Sequence, residues 1–435
     1  MRILLLNACG NAKKSFSIHI LNAIGFWSSC TLEQLAAVTP KQHEVTIIKD
    51  LTDKKYKKID FSTYDIIGIS YYTATANLAY KISDNIRKNY KRPVVVGGYH
   101  ASALPDEAKQ HADSVVIGEG ETIWPNILNE FEKKKKLKPF YYQSTPVSAD
   151  KIPCPIGDSK SIIPVYSIEA TRGCINHCEF CAITNSPIGK KIRFKPVEKV
   201  LNAIENIPSN YFLFMDSALN LNRKYSKELF KGMKKMNKRF GCFFNANIAD
   251  DEELLKLASE AGCTACTIGF ETTSQSTIDH LDKTTNNVKK YRDAVKKLHD
   301  YGIAVVASLV FGFENDTANV FDSTYDQINE WDVDSIGANI LTPLPGTPLF
   351  YRLEKENRIL TKDWSKYDYY NVVFQPKNMT PEELYTGTKH FVKKFFRRRS
   401  ILYRSLRNIN YGWYPFLGIT QHNIISRLFY NMAFT

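Results

Sequence analysis

The chain is organised around one short stretch, Thr171-Arg172-Gly173-Cys174-Ile175-Asn176-His177-Cys178-Glu179-Phe180-Cys181. Its three cysteines supply soft thiolate ligands, which select zinc or an iron-sulfur cluster over harder metals. A four-iron cluster needs four ligands, so three cysteines leave one iron open to a small molecule, much as a catalytic zinc site keeps one position free. The stretch therefore predicts a metal centre that binds a ligand directly.

A structural zinc site and three unrelated buried cysteines are the two simpler interpretations of these residues. The sequence nearby offers no further Cys-x2-Cys or His-x3-His half to complete a zinc site. The spacing Cys-x3-Cys-x2-Cys, with Phe180 before the last cysteine, resembles the signature of radical S-adenosylmethionine (SAM) enzymes. That resemblance implies a [4Fe-4S] cluster on Cys174, Cys178 and Cys181. SAM would bind at the open iron, close to the aromatic ring, and be cleaved reductively to a deoxyadenosyl radical.

The composition of the whole chain bounds its class and its compartment. At 435 residues it is long enough for two or three domains with large cores. A hydrophobic content of 43% beside 24% charged residues is typical of a folded protein and argues against disorder. The sequence has no apolar run of membrane-spanning length and no signal-peptide pattern. Because three of the nine cysteines sit in a metal-type cluster, we expect a reducing, cytoplasmic location.

Short apolar runs and helical stretches alternate over residues 1–140, as they do around a parallel sheet. Strands are predicted at 3–6, 44–48, 66–70, 94–96 and 115–117, with a helix over 76–88 among the connections. The pattern predicts a Rossmann-like, flavodoxin-like α/β domain, in which ligands bind at the carboxyl ends of the strands. The candidate ligand-binding residues at those ends are Tyr71, Tyr72, Thr73, Gly97, Gly98, Tyr99, Gly118, Glu119, Gly120 and Glu121.

Glycines in the second and third of these loops let a bulky ligand approach the backbone closely. In this order, and upstream of the cysteine stretch, the loops resemble the cobalamin-binding domain that precedes the radical domain in one large branch of radical SAM enzymes. The resemblance implies bound cobalamin. Because the chain has no Asp-x-His-x-x-Gly stretch to supply a histidine ligand to cobalt, we interpret His100 as a hydrogen-bonding residue.

A proline-marked linker is predicted over 141–160, after the lysine run 133–136. From 161 to 350 the alternation of strand and helix repeats, with strands predicted at 165–169, 211–215, 242–245, 265–270, 304–311 and 336–341. Six such units make a partial (β/α)6 barrel, in which reactive groups gather at the carboxyl ends of the strands. The cysteine stretch follows the first of these strands, so we expect it at such an end.

Polar residues at the other strand ends are the candidates for holding SAM: Asp216, Ser217, Asn245, Asn247, Glu271, Ser308 and Asn339. The resemblance implies that Asp216, after the second strand, contacts the methionine amino group. It also implies that Glu271, in Gly269-Phe270-Glu271 after the fourth strand, contacts the cofactor. The family's usual glycine pair is missing before Asp216, where backbone atoms can do the same work.

Three cysteines outside the stretch also need an interpretation. Cys154 sits between two prolines of the linker, and we interpret it as incidental rather than as a further cluster ligand. Cys263-Thr264-Ala265-Cys266 has the spacing of half a zinc site, but no second pair accompanies it. We therefore expect two buried structural cysteines there.

The segment 351–435 is predicted to be helical, and it is rich in basic and aromatic residues. Thr380-Pro381-Glu382-Glu383 has the pattern of a helix start with a capping box. Beyond it, basic residues are interleaved with large apolar ones, and the whole chain carries a formal net charge of +13. Such a segment suits an anionic membrane face, or equally a cap over the barrel mouth with its arginines in solvent.

The order of the domains, the turn Pro343-Leu344-Pro345-Gly346-Thr347-Pro348 and the basic aromatic tail resemble the hopanoid and related lipid methylases. The resemblance implies cobalamin-dependent methylation of an unactivated carbon in a small-molecule substrate, most simply a lipid or isoprenoid. It also implies an electron donor such as ferredoxin or flavodoxin. From the basic and apolar residues of the tail we expect peripheral contact with the inner membrane face. Radical ring closure or carbon-carbon coupling is the alternative within the same class.

Two other classes fit the sequence less well. RNA methylthiotransferases share the cysteine triad but carry a second set of three cysteines in the N-terminal domain, where this chain offers only Cys9 and Cys30. We therefore do not expect a nucleic-acid partner. A non-enzymatic iron-sulfur or cobalamin sensor would need neither a barrel nor an open site on its cluster. We expect an enzyme.

Overall fold

The computed structural model describes residues 1–9, 30–158 and 166–434. Two mainly parallel sheets follow one another along the chain, each flanked by helices, and the C-terminal part is helical. The predicted α/β class and the predicted order of sheet, partial barrel and helical tail are confirmed. Across the described ranges, no helix is both long enough and apolar enough to cross a membrane.

The first sheet contains β1 (Arg2–Ala8), β2 (Glu44–Leu51), β3 (Ile66–Ser70), β4 (Val94–Gly97), β5 (Ser114–Ile117) and β6 (Phe140–Tyr142). The helices around it are α1 (Thr31–Val38), α2 (Ala76–Asn85), α3 (Tyr99–Ala103), α4 (Pro105–Gln110) and α5 (Ile123–Lys134), with a π-helical turn, Ile86–Tyr90, after α2. The strand order is β2-β1-β3-β4-β5-β6 and every pair is parallel, which is the predicted flavodoxin-like order with one strand added. Because successive side chains point to opposite faces, the buried run 3–6 feeds one core on each side of the sheet.

The first sheet runs past residue 140, where the first domain was predicted to end, because β6 pairs with β5. A three-residue strand is too short for its periodicity to be recognised. Within the predicted linker, β7 (Gly157–Asp158) pairs antiparallel with β8 (Tyr166–Ile168) and so joins the second sheet. Residues 159–165, which include the predicted start of the first barrel strand, lie outside the described residues. The limits 1–140, 141–160, 161–350 and 351–435 stay predictions.

The barrel begins with β8, followed by an antiparallel pair of short strands, β9 (Thr171–Arg172) and β10 (Arg193–Phe194). Its other strands are β11 (Tyr211–Phe214), β12 (Arg239–Phe244), β13 (Cys263–Glu271), β14 (Ala304–Phe311) and β15 (Ser335–Ile340). The order of the second sheet is β15-β14-β13-β12-β11-β8-β7, and every pair except β7 with β8 is parallel. Six parallel strands in the described chain confirm the predicted partial barrel.

The helices of the barrel are α6 (Ala182–Asn185), α7 (Val197–Glu205), α8 (Arg223–Met233), α9 (Glu252–Glu260), α10 (Gln275–His280), α11 (Tyr291–Asp300) and α12 (Val320–Glu330). The C-terminal helices are α13 (Pro348–Lys355), α14 (Pro381–Phe395), α15 (Arg398–Arg407) and α16 (Trp413–Ala433). Short 3-10 turns lie at Tyr56–Lys58, Phe61–Thr63, Thr73–Thr75, Leu219–Leu221, Ala246–Asp250, Val288–Lys290, Trp364–Lys366 and Asn408–Tyr411. The capping box predicted for α14 is present, since the side chains of Thr380 and Glu383 each accept from the other's backbone amide.

The first half of helix α16 lies at the amino ends of the barrel strands, opposite the cysteine stretch. Its Ile419 packs on Ala304 and Val306 at the start of β14. Its Asn423 side chain donates to the Asp334 carbonyl, just before β15, over 3.0 Å.

The second half of α16 runs along β15 towards the carboxyl end of that strand. The Ala338 amide, within β15, donates to the Tyr430 hydroxyl over 2.7 Å, and the Phe434 ring packs on Tyr370. The membrane face and the cap over the barrel mouth both stay predictions for the tail.

A different C-terminal segment reaches the first sheet. Side chains after β15 share one hydrophobic core with that sheet: Leu344, Phe350, Trp364, Tyr367 and Val373. The Trp364 indole also donates to the Glu107 carboxylate over 2.8 Å. These contacts hold the first sheet next to the carboxyl ends of the barrel strands, where the cysteine stretch lies.

Candidate active site

The cysteine stretch forms a loop between β9 and α6, and contacts on both sides fix its shape. Gly173 has a φ of 99°, and a Cβ there would lie 2.6 Å from a backbone carbonyl oxygen, so only glycine fits. The Ser217 hydroxyl, at the second strand end, donates to the Gly173 carbonyl over 2.5 Å. From the other side, Asn185 Nδ2 donates to the carbonyls of Cys178 and Cys181 over 3.0 and 2.8 Å.

The three thiols of this loop lie close enough for their charges to affect one another. Cys178 is buried, whereas Cys174 and Cys181 are half-buried. Burial raises the pKa of Cys178 to about 12; the Lys283 ammonium acts to lower it, and the neighbouring thiols add to the rise. Among the described side chains, no group of three or more His, Cys, Asp or Glu is arranged to hold a metal ion. Binding a cluster would require the thiols to lose their protons.

Glu271, at the end of β13, forms a nearly buried ion pair with a lysine that sequence reasoning missed. Its Oε1 lies 2.5 Å from Lys283 Nζ, which also donates to the Gly269 carbonyl over 2.6 Å. The charges of Glu271 and Lys283 both act on the pKa of Cys178, so the pair lies beside the cysteine loop. A buried ammonium favours thiolate over thiol, which suits a negatively charged set of cluster ligands.

Asp216 is buried where β11 ends, and its carboxylate faces the backbone of the cysteine loop. The Ala170 amide donates to both carboxylate oxygens, over 3.1 and 3.2 Å, and the Thr171 amide donates to Oδ1. Burial raises the pKa of Asp216 to about 7, against the lowering effect of these hydrogen bonds. In the described structure, Asp216 therefore anchors the strand that leads into the loop, and its predicted contact with SAM stays a prediction.

A chain of asparagines connects the cysteine loop to the third strand end. Asn176, inside the loop, donates from Nδ2 to Asn245 Oδ1 over 3.2 Å. Asn220 donates to the Asn245 carbonyl and to Asn247 Oδ1, over 3.2 and 3.0 Å. The Nδ2 of Asn245 is buried and has no hydrogen-bond partner in the part of the chain that the structure describes. A buried donor left unpaired costs stability, so this amide fits an acceptor on a bound ligand, such as a carboxylate.

Ser308 and Asn339 lie on the inner face of the barrel, where the sequence predicted them. Half-buried and buried residues alternate along β13, and the half-buried face includes Gly269. Gly269 pairs with Ser308, and Ser308 with Gly337, so these residues form one layer across three strands. A Cβ on Gly337 would meet no described atom within 4 Å. The layer therefore borders open space inside the barrel.

The first two loops of the N-terminal sheet are built as the glycines suggested. Gly98 has a φ of 99°, and a Cβ there would lie 2.7 Å from the Tyr71 carbonyl oxygen. His100 is buried, with Nδ1 3.2 Å from Thr73 Oγ1 and Nε2 3.5 Å from Glu107 Oε1. The interpretation of His100 as a hydrogen-bonding residue is confirmed. Tyr71 and Thr73 are buried with it.

The third loop, with Gly118, Glu119, Gly120 and Glu121, binds the barrel domain through charged side chains. Arg172 Nη1 lies 3.1 Å from Glu119 and 2.6 Å from Glu121. The same guanidinium pairs with Glu169 over 3.0 Å and donates to Gln34 over 3.2 Å. These carboxylates hold the arginine that stands two residues before Cys174, and their predicted contact with cobalamin stays a prediction.

Two further cations complete this ionic network. Arg193 pairs with Glu119 over 2.6 Å, and Lys195 pairs with Glu169 over 3.0 Å. Burial acts to raise the pKa of Glu169, but Arg172 and Lys195 outweigh it and lower the pKa to about 2. A single sequence gives no sign of such long-range pairs, so reasoning from it missed the network, although Arg172 stood within the deciding stretch.

Two tyrosines from separate segments, Tyr99 and Tyr369, lie near Cys181. Burial raises the pKa of Tyr99, and the nearby Tyr369 and Cys181 raise it further. Burial also raises the pKa of Tyr369, with Cys181 and Tyr72 adding to the effect. Tyr351 lies near Tyr99 and Tyr72 near Tyr369, and the rings of Tyr72, Tyr351 and Tyr369 are exposed. Aromatic side chains from three parts of the chain therefore meet beside the cysteine loop.

The cysteines outside the loop lie apart from it. Cys263 and Cys266 are buried, as predicted, and Cys263 Sγ lies 3.8 Å from Cys242 Sγ inside the barrel wall. Cys154 Sγ lies 3.7 Å from the Glu169 carbonyl. Neither position adds a thiol to the triad.

Comparisons with known proteins identify the family. The model of the radical SAM superfamily matches residues 168–328, and that of the B12 binding domain matches residues 18–128. The bacteriochlorophyllide d C-12(1)-methyltransferase of Chlorobaculum tepidum is 30% identical over 398 residues, 88% of this chain and 86% of that protein. The chain belongs to the radical SAM superfamily.

This radical SAM enzyme is also similar to a hopanoid methylase and to a solved methyltransferase structure. The hopanoid C-2 methylase of Rhodopseudomonas palustris is 26% identical over 293 residues, 63% of this chain and 55% of that protein. The radical SAM methyltransferase TsrM of Kitasatospora setae, solved with cobalamin and a [4Fe-4S] cluster bound, has the same fold, with a TM-score of 0.66 at 14% identity over 98% of each chain.

As a radical SAM enzyme with a B12 binding domain, the protein uses a [4Fe-4S] cluster, SAM and cobalamin as cofactors. Its residues fit these groups. The loop offers three thiols for the cluster, and the unpaired amide of Asn245 offers a donor beside it. Tyr99, from the N-terminal domain, and Tyr369 lie next to Cys181.

Proposed function

We propose that the enzyme transfers a methyl group to an unactivated carbon of a large, flat and mainly apolar small molecule. The observation that carries this proposal is a group of neighbouring tyrosines, Tyr72, Tyr99, Tyr351 and Tyr369, of which Tyr99 and Tyr369 lie beside Cys181. Aromatic rings favour stacking on flat apolar ligands. When bound, the cluster with SAM supplies a hydrogen-abstracting radical, and cobalamin supplies the methyl group.

The residues around the site would divide the work among binding, orientation and exclusion of water. Cys174, Cys178 and Cys181 would hold the cluster, and the nearby Lys283 ammonium would offset the negative charge of the thiolates. Asn245 would donate to a carboxylate of bound SAM through its unpaired amide. Tyr99 and Tyr369, beside Cys181, would help to keep water, and the hydrogen atoms of solvent, away from a reactive radical.

We infer that the substrate is a tetrapyrrole in preference to a lipid. The relative that matches 88% of this chain carries the name of a bacteriochlorophyllide methyltransferase, whereas the hopanoid methylase matches 63%. The lipid expectation rested mainly on the basic tail. The first half of helix α16 lies at the amino ends of the strands, away from the cysteine loop, so that part of the tail offers no wall to a substrate there.

The experiment uses anaerobically reconstituted protein with reductant and methyl-deuterated SAM, offered tetrapyrroles in one reaction and a lipid extract in another. Mass spectrometry of the products should show a deuterated methyl group on a tetrapyrrole, together with deoxyadenosine. Label on a lipid would refute the substrate class and keep the reaction. Deoxyadenosine with an altered but unlabelled product would refute methyl transfer in favour of ring closure or coupling.

Two cysteine variants control for the cluster. Cys178→Ala should lose cluster iron and all deoxyadenosine formation, because the buried thiol is one of three ligands. Cys154→Ala, which removes a half-buried thiol outside the loop, should keep both. Deoxyadenosine made by Cys178→Ala, or iron lost from Cys154→Ala alone, would contradict the assignment of the triad.

A further inference from the structure

We propose that α15, the turn Asn408–Tyr411 and α16 form a docking face for an anionic lipid bilayer. The docking face is defined by the exposed side chains of Leu402, Tyr403, Leu406, Ile409, Trp413 and Leu417, each between 46% and 67% exposed. Large apolar side chains gathered in this way on consecutive elements mark an interaction site. The proposal goes beyond the methyl transfer and does not depend on it.

The segment that carries the docking face has charged side chains of one sign. Residues 384–435 contain nine lysines and arginines and no aspartate or glutamate. Lys394 and Arg407 are paired with acidic residues of the barrel. Arg398 and Arg399 are exposed, and no ion pair with a described residue neutralises them. An anionic membrane surface attracts such unpaired cations when they lie beside an apolar face.

Arg398 and Arg399 do not stabilise the helix that carries them. Arg398 and Arg399 are the first two residues of α15, and Arg397 precedes them. The amino end of a helix carries the positive end of its dipole, so cations there lower its stability. Side chains that cost local stability are expected where they have another role, and here they adjoin Leu402 and Tyr403 on the next turn of the same helix.

The aromatic residues also suit a bilayer surface. Trp413, Tyr403 and Tyr414 are exposed, although each has a large apolar ring. Rings of this kind with one polar atom favour the boundary between water and lipid. The opposite side of α16 packs on the barrel through Ile419, so the helix has one face for the protein and one left for a partner.

A second copy of the chain is a poorer occupant of this face. A twofold dimer would bring the same surface of each subunit together, which would place Arg398 and Arg399 near their own counterparts. Like charges at an interface oppose association, whereas phosphate-bearing lipids would neutralise them. Because the face lies near the amino ends of the strands, a docked enzyme would keep the cysteine loop away from the membrane.

The test is cosedimentation of the full-length protein with vesicles of phosphatidylcholine, alone or mixed with phosphatidylglycerol. We expect binding to the mixed vesicles that weakens with salt. Arg398→Ser/Arg399→Ser should lower the partition coefficient between vesicle and water on the order of 20-fold, because each arginine contributes a factor of about five. The matched control, Lys54→Ser/Lys55→Ser, removes the same amount of charge from two exposed lysines of the N-terminal domain. This control should change the partition coefficient by less than about twofold. Removing cations from a helix start does not threaten folding.

Trp413 gives a direct readout of depth. Trp124, Trp331 and Trp364 are buried, and Trp27 lies outside the described residues. The Trp413 signal is therefore the quenching by brominated lipid that Trp413→Phe removes, and we expect it to be the larger part. Three results would overturn the proposal: absence of binding to mixed vesicles at low salt, equal loss of binding in the lysine control, or self-association abolished by Trp413→Ser without any vesicle binding. The assay needs neither SAM nor substrate, so its failure would leave the methyl-transfer proposal standing.

Discussion

Replacing Arg172 by methionine should loosen the junction between the two sheets and lower the free energy of unfolding by about 3 kcal/mol. Arg172 holds Glu119 and Glu121 of the N-terminal domain together with Glu169 of the barrel, within 2.6–3.1 Å. Methionine keeps much of the side-chain volume, so the change removes the charge and its hydrogen bonds with little change in packing.

The magnitude follows from the pKa of Glu169. Burial alone would raise that pKa, yet the cations lower it from 4.5 to about 2. At about 1.4 kcal/mol per pKa unit, the shift corresponds to about 3 kcal/mol, shared between Arg172 and Lys195. The variant keeps Lys195 on Glu169 but leaves the buried Glu121 without its cation, which adds a cost of similar size.

The pH dependence has a definite sign. Because the folded-state pKa of Glu169 lies below its ordinary value, the stabilisation is present above pH ~4.5 and is lost as the pH falls towards ~2. The difference in stability between the parent and Arg172→Met should therefore be constant near neutral pH and should shrink in acid.

Guanidinium titrations followed by tryptophan fluorescence measure this difference. Arg87→Met is the matched control, because its pairs with Asp84 and Asp113 lie at the surface and should contribute less than about 1 kcal/mol. If Arg172→Met were no less stable than Arg87→Met, or if their difference grew as the pH fell, the reasoning from the ionic network would be refuted.

Two further predictions concern the cofactors. Lys283→Met leaves the Glu271 charge uncompensated beside the thiols, so deoxyadenosine formation should fall at least ~10-fold while cobalamin stays bound. A rate of deoxyadenosine formation within ~2-fold of the parent enzyme would contradict this. Gly98→Ala forces a Cβ to within 2.7 Å of the Tyr71 carbonyl, so thermal unfolding should report a loss of about 1–3 kcal/mol, with weaker cobalamin retention by absorbance. Gly97→Ala is the control, because the nearest atom to its new Cβ would be 3.5 Å away. Equal losses of stability in the two variants would contradict the steric explanation.

The sequence was most informative about elements with local causes. The strands over 66–70 and 304–311 appear with the predicted limits, since each is an apolar run of strand length. The capping box at Thr380 was predictable because four consecutive residues contain it. The strand Phe140–Tyr142 was missed because its only support is the neighbour with which it pairs.

The candidate site also has features with local causes, which the sequence predicted, and features that depend on distant residues, which it did not. The three cysteines and the side of the barrel that carries them were predictable from spacing and from strand order. The residues that surround those cysteines were not predictable. Lys283 is about 100 positions away from Cys178 along the chain, and only the barrel fold brings it to the cysteine loop. The same holds for Arg172, whose carboxylate partners Glu119 and Glu121 come from another domain.

By itself, the sequence determined the fold class, the order of the domains and the metal-binding loop, because apolar periodicity and ligand spacing act over a few residues. Only the tertiary structure decided what the charged side chains do. It showed that Glu119 and Glu121 pair with an arginine, that Asp216 accepts hydrogen bonds from backbone amides, and that the first half of α16 lies at the amino ends of the strands. The physical reason is that a charge acts on whatever lies within a few ångströms of it, and distance along the chain does not determine that neighbour.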